Sequence, residues 1–117
     1  MDGIYDAIIF YYILVNYNLY TSNKSSTYEE NGAPFVINYF DGTQASGILA
    51  SDNLGIAGLT VINQTFAQVY TFPLDINDGL LGMGFSSLSV YNTPTPFENL
   101  FSQNQIEKNI FSFWINR

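Results

Sequence analysis

The sequence contains no cysteine, no histidine and only three basic residues, Lys24, Lys108 and Arg117. The first two absences exclude thiolate nucleophiles, disulfide frameworks, Cys/His zinc sites and any Ser-His-Asp triad held within the chain. The third leaves ten acids (Asp2, Asp6, Glu29, Glu30, Asp41, Asp52, Asp75, Asp78, Glu98, Glu107) without a basic patch, at a formal net charge of −7. A phosphate backbone would be repelled, so nucleic acid is not an expected partner. Charge of either sign is scarce, at 11%, whereas 47% of the residues are hydrophobic and 17% aromatic. That apolar surplus excludes a charge-driven disordered segment. A pI near 4.1 suits work in acid, where the net charge shrinks as the pH falls. The length of 117 residues bounds the chain to one domain.

Long hydrophobic runs are also lacking. The longest near the start, Ala7–Val15, is far short of the roughly 20 residues a membrane-spanning helix needs. Its flank carries Asp2 and Asp6 where a secretory signal wants Lys or Arg, and no small-residue cleavage site follows Val15. No signal peptide is recognisable, no membrane partner is expected, and residues 1–19 read as an apolar amino-terminal segment set apart from the rest. Two glycosylation triplets, Asn23-Lys24-Ser25 and Asn63-Gln64-Thr65, have meaning only in a secreted protein.

What is present is strand pattern and turn chemistry. Residues 20–32 are polar and read as a surface loop with a short strand around Thr27–Glu29. Phe35, Ile37 and Tyr39 alternate with Val36 and Asn38 and run into Asp41-Gly42, a hairpin signal, with apolar pattern resuming at Ile48–Ala50. A turn is expected at about 40–46. A second hairpin pairs Leu54–Ile56 with a β-branched and aromatic arm, Leu59–Val69, across a tight turn at Ala57-Gly58. Gly79–Phe85 is a short apolar run whose three glycines point to close backbone approach. Thr95-Pro96-Phe97-Glu98 combines an N-cap, a first-turn proline and a capping box, so a helix is expected to about residue 103. The last residues, 108–116, read as a strand. These elements predict an all-β class, mostly antiparallel, with one or two short helices.

Four segments in this order resemble the amino-terminal lobe of pepsin-like aspartic proteases, most nearly the secreted enzymes of fungi. They are Tyr20-x-Ser22-x-Lys24-Ser25-Ser26-Thr27-Tyr28; Phe35-x-Ile37-x-Tyr39-x-Asp41-Gly42-Thr43 continuing to Ser46-Gly47-Ile48-Leu49; Asp78-Gly79-Leu80-Leu81-Gly82-Met83-Gly84-Phe85; and Thr95-Pro96 with its helix followed by Ile110–Arg117. The resemblance covers residues 20–117 and implies an incomplete pepsin-like lobe, a secreted or vacuolar setting, a peptide or protein substrate and no cofactor or metal. It implies that Tyr39, Asp41, Gly42 and Thr43 form the substrate-binding flap. Asp78, Gly79, Leu80, Leu81 and Gly82 become structural residues near the catalytic floor.

Catalysis in that family rests on two carboxylates about 3 Å apart that share a proton and hold a water as nucleophile. Each comes from an Asp-Thr-Gly or Asp-Ser-Gly loop, and the sequence contains neither tripeptide. Asp41-Gly42-Thr43 has the letters in another order and sits in the flap hairpin. No catalytic residue is therefore assigned. The resemblance implies an aspartic-type endopeptidase by family, expected to be inactive by itself for want of both motifs and of a carboxy-terminal lobe. A non-catalytic peptide-binding or inhibitor-like pseudoprotease module is the alternative. Phe40 departs from the flap pattern, where the family usually has Gly; its bulk lies where a substrate would pass.

Overall fold

The computed structural model describes residues 9–10, 20–71 and 79–116. Its frame is one five-stranded sheet of β1 (Ile9–Phe10), β2 (Glu29–Asn38), β3 (Gln44–Ile56), β4 (Leu59–Thr71) and β5 (Gly79–Leu80), in the order β2-β3-β4-β1-β5. All pairings are antiparallel except β1 against β4. One α-helix, α1 (Pro96–Ser102), packs on β4. The all-β, mainly antiparallel class expected from the sequence is the class observed.

The two hairpins close where turn chemistry demands. Ala57 and Gly58 both have positive φ, 50° and 82°, which a two-residue turn matching the strand twist requires. Between them the hairpins share β3, a single strand of 13 residues where the sequence pattern suggested two short arms. One strand serves both because its first half pairs with β2 and most of its length with β4. The edge strand β2 also starts earlier than the hydrophobic pattern, at Glu29, and absorbs Asn31-Gly32-Ala33 as a register shift before Pro34. Irregularity and proline belong on a sheet edge, where a lost ladder bond faces solvent.

Alternation decides which residues go inward. Phe35 and Ile37 of β2 are buried while Val36 and Asn38 are exposed, and with Ala45, Ala67 and Val69 they form one core cluster. Ala50 and Phe66 form a second, covered by Tyr20 and Tyr28. At Gly47 a Cβ would lie 2.1 Å from the Gln68 carbonyl oxygen, so β3 and β4 can approach only with glycine there. On β4 the inward spacing breaks between Val61 and Gln64, because Ile62 and Asn63 together face Asn53. This bulge places Asn63 at φ 56°, and the Asn53 carboxamide oxygen accepts its N–H at 3.0 Å. Gln103 then acts as a surrogate strand: its side chain accepts from Ile62 N–H at 2.8 Å and donates to the Ile62 carbonyl at 2.9 Å.

The helix starts as its sequence predicts. Thr95 accepts from Glu98 N–H, the Glu98 carboxylate accepts from Thr95 N–H, and Pro96 occupies the first turn. Gln64, 1% exposed, fastens the helix to β4: it accepts from the Asn99 side chain at 2.9 Å and donates to the Pro94 carbonyl at 2.9 Å.

Within the Gly79–Phe85 run only Gly79–Leu80 is strand, and Ser86–Leu88 turns into a 3-10 helix. One expectation is corrected. Residues 108–116 form no strand at all. Their composition favours extension, but a strand is defined by a ladder, and no described strand lies alongside them. Phe111 packs edge-on to Phe97 at 4.9 Å, and Ile110, Phe113, Trp114 and Ile115 stand out into solvent.

Candidate functional site

The β2–β3 hairpin ends in a turn that holds itself together. Tyr39 N–H donates to the Thr43 carbonyl at 2.8 Å, and Gly42 N–H donates back to the Tyr39 carbonyl at 3.0 Å. Gly42 carries the positive φ, 84°, that the turn needs. Asp41 Oδ1 accepts both the Thr43 N–H at 2.9 Å and the Thr43 hydroxyl at 2.7 Å, which together hold its carboxyl below the ordinary range. Just below the turn, Gln44 donates to the Asn38 side chain at 2.7 Å. Tyr39 leans back onto the Phe35 cluster, and burial, with Asp41 adding, pushes its phenol pKa up. Phe40 points the other way and is fully exposed. The turn thus presents Phe40, Asp41 and Gly42 to solvent on a hydrogen-bonded stem.

A second arrangement was not foreseen from the sequence. Asp52 of β3 is 7% exposed and sits beneath the 20–28 loop. Its Oδ1 accepts from the Thr27 hydroxyl at 2.5 Å, the Ser25 hydroxyl at 2.9 Å and the Asn53 N–H at 2.7 Å, while Oδ2 accepts from the Tyr20 hydroxyl at 2.5 Å. Burial by itself raises this carboxyl pKa; the Thr27, Tyr20, Ser25 and Asn53 donors outweigh burial and lower it. The same burial, with the Asp52 charge, drives the Tyr20 phenol pKa strongly upward. A cavity of about 120 Å³ lies beside the carboxylate, lined by Tyr20, Leu54, Gln64 and Phe66. One signal could have flagged it: Asp52 is the only acid in an otherwise uncharged β3, and Ser25 and Thr27 are hydroxyls two residues apart.

Tyr39, Asp41, Gly42 and Thr43 are therefore brought into a single turn. Gly79, Leu80, Leu81 and Gly82 are elsewhere: β5 lies four strand positions from β2, roughly 19 Å at the usual strand spacing. There Gly79 and Leu80 pair with Phe10 and Ile9, Gly82 is buried, and Leu80 and Leu81 are each more than a third exposed. Asp78 lies outside the described residues.

Comparison with known proteins supplies the context for this geometry. The chain is 43% identical over 99 residues to syncephapepsin of Syncephalastrum racemosum, covering 80% of this chain and 25% of that protein. It is 43% identical over 103 residues to cathepsin D of Gallus gallus, covering 84% and 26%. It is 38% identical over 104 residues to a probable vacuolar protease A of Trichophyton verrucosum, covering 85% and 26%. The chain thus spans about a quarter of the length of the curated relatives it matches. The family model for eukaryotic aspartyl protease matches residues 10–117, starting ahead of the motifs that carry the sequence resemblance. With nearly the whole chain matched, and with relatives near 40% identity, the protein belongs to the eukaryotic aspartyl protease family.

Proposed function

We propose that residues 20–117 are the substrate-facing part of the amino-terminal lobe of an acid endopeptidase. In this reading Tyr39, Asp41, Gly42 and Thr43 close over an extended peptide, and Asp78 to Gly82 run beside the catalytic floor. The observation that carries it is the β2–β3 turn. Its internal hydrogen bonds define the turn, Tyr39 anchors it on the Phe35 cluster, and Phe40 and Asp41 remain exposed at its tip. A carboxylate at that tip, its pKa lowered by the Thr43 N–H and hydroxyl, suits a cationic side chain on the bound peptide. Phe40 adds an apolar surface at the same point and narrows the passage that glycine would leave open.

Hydrolysis itself needs a carboxylate pair around one water, since a single carboxyl cannot act as base and acid to one substrate at once. Neither Asp-Thr-Gly nor Asp-Ser-Gly occurs in these 117 residues. The chain alone therefore contributes binding, and cleavage depends on segments supplied from outside it, including a second lobe. The acidic pI fits a secreted or vacuolar compartment. The same lack of motifs favours a second reading, a pseudoprotease module that binds peptide without cutting it.

One experiment separates these readings. Purified chain incubated with an unfolded protein between about pH 2 and 6 is expected to yield no cleavage. Binding of a fluorescent Lys-containing peptide, weakened by Asp41→Asn, would favour the binding module. No binding would favour the dependent lobe. Cleavage that vanishes in Asp41→Asn would overturn both.

A further inference from the structure

We propose that Asn31 is a site of self-modification, losing its side-chain amide through ring closure onto the Gly32 nitrogen to become aspartate and isoaspartate. The reagents are water and the chain itself, so the inference is independent of any peptidase role and of any polypeptide beyond these residues. Asparagine followed by glycine occurs once in the sequence, at Asn31-Gly32. In a regular strand the backbone ladder would hold such a pair extended and out of reaction. Here the register shift of β2 leaves it outside the ladder: Glu30 pairs with Ala50 and Pro34 with Ile48, so Asn31, Gly32 and Ala33 together face Leu49. The strand is the edge of the sheet, and Asn31 and Gly32 are both exposed. Gly32 has φ 74°, and among the described residues beyond its chain neighbours only Glu30 Oε1, at 3.7 Å, comes within 4 Å of where a Cβ would stand. No side chain shields its nitrogen.

The hydrogen bond at the site favours the reaction. Ala33 N–H donates to Asn31 Oδ1 at 3.1 Å, which folds the carboxamide back over the Gly32 peptide. The same donor sits on the oxygen that gains negative charge when Cγ becomes tetrahedral, where a fixed N–H lowers the barrier. A base in solvent removes the Gly32 amide proton, the nitrogen bonds to Asn31 Cγ, and the Cγ–Nδ2 bond breaks. Nδ2 takes a proton from water and leaves as ammonia, so a five-membered succinimide joins residues 31 and 32. Water then opens the ring. Breaking the bond from nitrogen to Cγ gives aspartate; breaking the bond from nitrogen to the residue 31 backbone carbonyl carbon gives isoaspartate, with Cβ inside the main chain. One water is consumed and one ammonia released, and nothing is oxidised or reduced. Either product adds a carboxylate beside Glu29 and Glu30. Isoaspartate also lengthens the strand that leads to the β2–β3 turn.

Asn23 and Asn63 are exposed too, but Lys24 and Gln64 follow them, and those side chains flank the nitrogen that would attack. They serve as internal controls in peptide mapping by mass spectrometry. The intact chain held at about pH 8 and about 37 °C is expected to gain about one dalton at Asn31, at least about tenfold faster than at Asn23 or Asn63. Isoaspartate at position 31 is read separately, by enzymatic methylation of its carboxylate. At about pH 5 the conversion should nearly cease, because the nitrogen must lose its proton to attack. Gly32→Ala should slow it about tenfold by crowding that nitrogen. Should that variant unfold, Asn31→Gln decides: its longer side chain closes the five-membered ring no more, and the isoaspartate signal vanishes. Urea tests the structural part. Unfolding removes the Ala33 hydrogen bond, so the native chain should convert at least as fast as the urea-unfolded one. No conversion at Asn31, equal conversion at the three asparagines, or a rate indifferent to Gly32→Ala would overturn the proposal. So would isoaspartate persisting in Asn31→Gln, or a native chain slower than the unfolded one.

Discussion

Asp41 and Asp52 are both carboxylates held by hydroxyl donors, and both have lowered pKa values, yet they do opposite work. Asp41 is fully exposed and its donors come from Thr43, two residues away. Asp52 is buried and its hydroxyl donors come from Tyr20, Ser25 and Thr27, 25 to 32 residues away. A local hydrogen bond shapes a turn that water could satisfy almost as well. A distant one ties separate stretches of chain, and breaking it strands donors and a desolvated charge. Range and burial, more than bond type, decide whether an aspartate belongs to the fold or is free for a ligand.

The sharpest way to break this contrast is to remove the buried carboxylate. Asp52→Ala leaves three hydroxyls without their acceptor and should cost about 3 kcal/mol in urea unfolding. Acid does the same to the intact chain. The folded pKa of Asp52 lies below its ordinary 3.8, so on acidification the unfolded chain takes up this proton first. The stabilisation is whole above about pH 4 and disappears as the pH falls through the lower folded value. Urea midpoints measured across that window should drop in the wild type, and the part of the drop due to this carboxyl should be absent from Asp52→Asn. Single donors weigh less: Tyr20→Phe keeps the ring against Phe66 at 5.1 Å and should cost about 1–2 kcal/mol, as should Thr27→Val. At the far end, Asp41→Asn should leave the melting temperature unchanged while amide exchange at Thr43 quickens. A melting loss equal to that of Asp52→Ala would erase the distinction.

The hairpins and the helix were legible in the sequence because their signals are local. Asp41-Gly42 and Ala57-Gly58 meet the φ demands of their turns, and Thr95, Pro96 and Glu98 satisfy the helix start within one turn. The strand expected over 108–116 did not form because a strand needs a ladder, which no residue within the segment can provide. The Asp52 cluster was illegible for the same kind of reason: Tyr20, Ser25 and Thr27 looked like loop polarity until the fold laid them over β3. The close approach inferred from the Gly79–Gly84 cluster has its sharpest described counterpart at Gly47, where Gln68 of β4 leaves no room for a Cβ.

The class, the turns, the helix cap and the family resemblance follow from the residues alone, since each rests on positions close together in the chain. That β3 is one strand shared by two hairpins, and that Gln64 and Gln103 bind the helix to the bulge on β4, emerges only once the chain is folded. Only it made Asp52 a buried anchor while Asp41 stayed at the surface. Those outcomes depend on which distant segments pack together, and packing is set by burial and ladder geometry across the whole sheet.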